Sequence, residues 1–144
     1  MNPIKRHLAV IALAIALFGC GTPTASTPTP ANSPQSTVAL TVKTVADAVS
    51  TGVDTVIALR NQGKLSAANT TTIENWLAFA ATTDKQISAI LGNGQPWAAQ
   101  KAQILVLLGT VTAPQIAGTI DPGAQAVIAQ VLTLVNQIRV QVGK

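Results

Sequence analysis

From Val38 onward, apolar side chains return at alternating intervals of four and three residues: Val38, Val42, Val45, Val49, Gly52, Val56 and Leu59. That spacing lines one face of an α-helix, which turns by about 100° per residue. Lys43, Asp47, Ser50, Asp54 and Asn61 fall on the opposite face. Val38-Ala39-Leu40-Thr41-Val42 also alternates as a strand would, and Val and Thr favour strands. The helical period nevertheless runs on for about six turns and outweighs that local preference.

The same reading carries through the rest of the chain. Gly63 suits a C-terminal cap, and either Ser66 or Thr71 can open a second helix, Thr71 with Glu74 as a capping box. Ile73, Leu77, Ala80, Ile87 and Leu91 mark its buried side. Gly92-Asn93-Gly94 breaks it, and Pro96 suits the first position of a third helix, whose core side is Trp97, Ile104, Leu108 and Val111. Pro114 ends the third helix, and Asp121-Pro122 reads as an N-cap with a first-turn proline for a fourth. Val127, Val131, Leu134, Ile138 and Val142 face inward there, joined by Ile128, Leu132 and Val135. A narrow polar stripe of Gln130, Thr133, Gln137 and Gln141 remains, so this helix is expected to be the most buried element.

Four helices of about 15 to 26 residues with short connections predict an all-α fold, an antiparallel four-helix bundle over residues 37–144. Residues 112–120 form the one longer link. With few aromatics and many Ala, Val, Thr and Gly side chains, the helices are expected to approach toward the close end of the roughly 8–10 Å range.

The N-terminus has a different pattern. Met1 to His7 carries Lys5 and Arg6, and Leu8 to Phe18 is an unbroken apolar run of about eleven residues, within the range of a signal-peptide core and too short to span a bilayer. It ends in Leu17-Phe18-Gly19-Cys20, which resembles the lipobox of bacterial lipoprotein precursors: an aliphatic residue, a variable one, a small one, then cysteine. The resemblance covers about the first twenty residues. It implies that residues 1–19 are a cleaved signal peptide and that Cys20 becomes the acylated N-terminus, bearing fatty chains of the palmitate kind. Two or more such chains anchor a protein stably, at about 0.8 kcal/mol per buried CH₂. By resemblance to enterobacterial sorting, Gly21 rather than Asp after the cysteine implies the periplasmic face of the outer membrane. In a single-membrane bacterium the anchor implies the outer face of the cell membrane.

Gly21 to Ser36, GTPTASTPTPANSPQS, holds Thr, Pro, Ser, Ala and Asn with no large apolar residue. Such a segment cannot repay its ordering entropy by burial, so residues 20–36 are expected to be the lipidated cysteine and a disordered Thr/Pro/Ser tether. Its prolines bias it toward polyproline II, with a reach of at most about 50 Å.

Composition narrows the chemistry. The formal charge of +4 includes Lys5 and Arg6. The remaining cations, Lys43, Arg60, Lys64, Lys85, Lys101, Arg139 and Lys144, are scattered, so no stripe exists to follow a phosphate backbone and no nucleic-acid partner is expected. His7 and Cys20 are the only histidine and cysteine. After cleavage and acylation no imidazole or free thiol remains, so neither a metal nor another cofactor is expected, nor a His- or Cys-based nucleophilic centre.

Candidate sites weigh against plainer readings. Asp47 and Asp54, about two turns apart on one face, read as a solvated stripe before they read as an acid/base pair. Lys64 with Ser66, or Lys85 with Ser88, lack any surrounding signature of a Ser/Lys dyad. Gly92-Asn93-Gly94 precedes a helix but carries no full phosphate-binding fingerprint. Asn69-Thr70-Thr71 matches the N-glycosylation pattern, which is short enough to arise by chance. Trp76 and Trp97 are expected in the core rather than in a binding hot spot. More telling is Val106-Leu107, which falls on the side of the third helix away from Ile104 and Leu108 and marks a surface that either the Pro114 segment or a partner covers.

Together these features lead to a non-enzymatic, lipid-anchored envelope protein whose bundle binds another envelope protein or self-associates. A membrane-perturbing or exclusion protein of phage or toxin type is the alternative. A hydrolase using only carboxylates from Asp47, Asp54, Glu74, Asp84 and Asp121 ranks last.

Overall fold

The computed structural model describes residues 33–144. The expected signal segment, the Leu17-Phe18-Gly19-Cys20 motif and the expected tether up to residue 32 lie outside the described residues. The chain forms α1 (Pro34–Asn61), α2 (Ala67–Leu91), α3 (Trp97–Thr110) and α4 (Pro122–Gly143), and the described residues contain no strand.

Helix α1 starts within the stretch expected to be tether. Ser33 is its N-cap, accepting from Ser36 N at 3.1 Å, with Pro34 in the first turn. A capping serine followed by a proline whose missing N–H needs no partner is a strong helix start, and it overrides the low apolar content of this stretch. The predicted core face holds throughout: Val38, Val42, Val45, Val49, Gly52, Val56 and Leu59 are all buried. The helix ends in a Schellman motif. Gly63 adopts φ +71°, its N–H reaches Arg60 O and the Lys64 N–H reaches Leu59 O. That left-handed backbone favours glycine.

Between the two N-cap candidates for α2, Ser66 is the one used, accepting from Asn69 N at 3.1 Å. Thr71 lies inside the helix with its hydroxyl on Ala67 O. Pro96 does not take the first helical position of α3. It is the N-cap, with extended backbone (φ −55°, ψ 141°). Asn93 Oδ1 accepts from Gln95 N at 2.9 Å, an Asx turn that keeps the chain extended up to Pro96. Asp121 caps α4 as expected, accepting from Gly123 N at 2.7 Å with Pro122 in the first turn.

Side-chain bonds fix the helix directions. Gln35, at the start of α1, donates to Leu91 O at the end of α2 and to Gln100 Oε1 near the start of α3. Thr41 of α1 donates to Gln141 Oε1 near the end of α4. Helix α1 therefore runs antiparallel to α2 and α4, and α3 runs alongside α1. Each helix packs on its chain neighbours, and α1 closes the ring on α4.

The ring is uneven because α3 has only 14 residues. Beyond Thr110 the fourth column continues as irregular chain. Trp76 Nε1 donates to Thr112 O at 2.6 Å and Asn69 Nδ2 to Ala117 O at 3.3 Å, while Ile116 and Ile120 pack on the core. This uneven wall explains why α4 is not the most buried element. It buries six residues, against nine in α1, and leaves Ile128, Leu132 and Leu134 half-covered and Val140 59% exposed.

Candidate functional site

Three places hold side chains that ordinary packing does not use. The first is the outer surface of α3. Gln100, Ile104 and Leu108 face the core. At about 100° per residue, Val106 points almost directly away from them. It is 72% exposed, so the segment after α3 does not cover it. Leu107 is a correction: it is half-buried and packs against the core, because it returns to the flank of the Gln100–Ile104–Leu108 row. Its place on the surface is taken by Leu105, 41% exposed. Leu40, Phe79 and Val140 are also exposed. Phe79 is not singled out from the sequence, although at about 100° per residue it falls outside the arc that Trp76, Leu77 and Ala80 share, which signals an outward apolar group.

Several exposed threonines on α1 and α2 present less polarity than their residue type implies. The exposed Thr44, Thr71 and Thr82 each donate back to the carbonyl one turn earlier. With the hydroxyl engaged on the helix, the methyl group faces out.

The second place is the polar junction near the start of the bundle. Gln100 is fully buried, accepts from Gln35 Nε2 at 2.8 Å and donates to Asn93 Oδ1 at 3.1 Å. A buried amide with both ends paired ties the first turn of α1 to the α2–α3 connection. Asn93 is thus occupied by Gln100 and Gln95, and Gly92-Asn93-Gly94 works as a connection. Asn69 is likewise engaged on Ala117 O.

The third place is Asp84, buried on α2 with its Oδ1 lacking any hydrogen-bond partner. Burial pushes its carboxyl up from 3.8 to about 7, because an apolar surrounding disfavours the charged form. The spacing of α2 carried the signal: Asp84 stands between Ala80 and Ile87 in the row that runs from Leu77 to Leu91.

The remaining candidates stay apart. Asp47 and Asp54 are exposed on the outer face of α1, and Asp121 caps α4. Among the described residues no three His, Cys, Asp or Glu side chains come together. Trp76 is buried and Trp97 is half-buried against the core. A shallow groove of about 450 Å³ runs along α4 between Thr133, Gln137, Val140 and Lys144. Set against family models, curated proteins and solved structures, the chain has no significant match to any of them.

Proposed function

We propose that the protein is a lipid-anchored component of the bacterial cell envelope, held to the membrane through acylated Cys20, whose bundle acts as a non-enzymatic protein-binding or structural module. The observation that carries this reading is the Leu17-Phe18-Gly19-Cys20 motif after a basic segment and an apolar run, set ahead of a domain that starts at Ser33. A stretch as long as the one between Cys20 and Ser33 reaches at most about 40 Å, a length that would let the domain stand clear of the lipid headgroups. Val106 and Leu105, pointing outward from α3, offer apolar contact to an envelope protein or to a second copy. Intact-mass analysis of protein extracted from bacterial membranes tests the anchor. Wild type is expected to begin at an acylated Cys20, and Cys20→Ala to retain residues 1–19. Unacylated, soluble wild type would remove both the anchor and the envelope location.

One observation favours a second reading, in which the protein perturbs membranes. Helix α4, Pro122–Gly143, has a mean hydropathy of 1.2 over its most apolar window, of which 28% is buried in the bundle. It is long and apolar enough to cross a bilayer if it left the bundle. Dye release from liposomes by the lipidated protein would support this reading; intact liposomes would count against it.

A further inference from the structure

Asp84 lies where the four helices meet. With Ala80, Thr83 and Ile87 of the same helix it lines a small, partly open pocket of about 10 Å³, whose other walls are Val45 of α1, Leu108 of α3, Val111 just after α3, and Val135 and Ile138 of α4. A volume of that size holds about one water molecule, and apart from Thr83, beside Asp84 on α2, the other walls are apolar side chains. A protonated carboxyl is a neutral group that such a site tolerates, whereas a carboxylate there has a charge with no counter-charge opposite it.

The charged groups on the packed elements lie off the cavity. Lys43 and Asp47 of α1 are on its exposed face, and Lys85 next to Asp84 is exposed. Lys101 of α3 is about two turns before Leu108. Arg139 follows Ile138 on α4, but its guanidinium donates to the carbonyls of Leu108 and Val111.

The wall able to move is the one those carbonyls belong to. Helix α3 buries only Gln100, Ile104 and Leu108 and has no side-chain cap at its start, while α1 buries nine residues and α2 eight. Elements with few buried contacts open locally at a lower free energy than the rest of a domain. Movement of the end of α3 would bare Asp84 and release the Arg139 guanidinium together.

We propose that Asp84 is a proton-operated latch: with its carboxyl protonated, the end of α3 and the chain after it stay packed over the cavity, and when the proton leaves, that flank opens and admits water to the carboxylate. This device is independent of how the protein is anchored.

Hydrogen exchange of the full chain at about pH 5.5 and about pH 8, expressed as protection factors to remove the intrinsic pH effect, tests the latch. A carboxyl at about 7 when closed and 3.8 when open makes opening about 30-fold more favourable at the higher pH. Protection of residues 104–116 is expected to fall by about that factor relative to α1, and to be independent of pH in Asp84→Asn. Equal protection at both pH values, or the same fall in Asp84→Asn, would overturn the proposal. If Asp84→Asn does not fold, Asp84→Leu serves as the non-titrating comparison. The wild-type chain supplies an independent readout through the carboxyl carbon of Asp84 by NMR: a midpoint near 7 supports the latch and one near 4 rejects it.

Discussion

Gly52 of α1 lies so close to Val127 of α4 that a Cβ at position 52 would stand 2.7 Å from Val127 Cγ1, with Leu77 Cδ2 of α2 at 3.4 Å. Glycine is a poor helix former, yet here it allows three helices to meet where a methyl group would collide with a stiff β-branched side chain.

Gly52→Ala is therefore expected to destabilise the domain. Overpacking costs about 1–3 kcal/mol and the gain in helix propensity returns about 1 kcal/mol, for a net loss of about 1 kcal/mol. Thermal melting should show a fall of about 4–8 °C for that loss in a domain of this size. In a Val127→Ala background the same substitution should cost less, because the colliding methyl group is gone; equal costs in the two backgrounds would show that the contact is not the cause.

The raised pKa of Asp84 makes stability depend on pH. The folded protein holds this proton up to about 7 and the unfolded chain only to about 3.8. Between these values the folded state binds more protons, so stability is greatest below about 3.8, falls as pH rises, and levels off above about 7. The contribution is on the order of 4 kcal/mol across the window, read by urea unfolding at a series of pH values. Asp84→Asn should remove this slope and be more stable than wild type above pH 7.

The outer face of α3 separates surface from core by single residues. Val106→Gln and Leu105→Gln should change stability by no more than about 0.5 kcal/mol and reduce recovery of a partner in crosslinking from membranes. Leu107→Gln, which replaces a side chain packed against the core, should lower stability by about 1–3 kcal/mol. Unchanged partner recovery in the Leu105 and Val106 variants would count against the outer face of α3 as the proposed binding surface.

Trp76 holds the irregular segment that completes the short fourth column. Trp76→Phe removes the Nε1–H donor to Thr112 O and should cost about 1–2 kcal/mol. Hydrogen exchange should rise first in residues 111–121, since Thr112 is exposed and its carbonyl can turn to water.

Much of the fold is legible from local rules. The Val38-to-Leu59 stripe, the Gly63 C-cap and the Asp121-Pro122 start each depend on a few neighbouring residues, and each appears as read. Two starts were misplaced, that of α1, which begins at Pro34 inside the expected tether, and that of α3, where Pro96 is the N-cap; other errors fell where a helix's depth depends on its neighbours. Helix α4 looks equally apolar whether the adjacent column is long or short, and the brevity of α3 decides how much of it is covered; Leu107, three residues after Ile104, sits on the flank of the core row by helical period alone. Polar residues in apolar rows were the other gap. Asp84 and Gln100 interrupt the core stripes of α2 and α3, and both are buried. Their positions marked them, but their types suggested solvent.

The sequence alone determined the helical class, the order and most of the boundaries of the elements and the caps that set them, because propensity, periodicity and capping act over about one turn of chain. It also held the Leu17-Phe18-Gly19-Cys20 motif on which the functional proposal rests. Tertiary structure decided which polar side chains would be enclosed, where Gly52 meets Val127, and that the fourth wall is half helix and half irregular chain. Those outcomes depend on the distances between helices far apart in sequence, which no local spacing encodes.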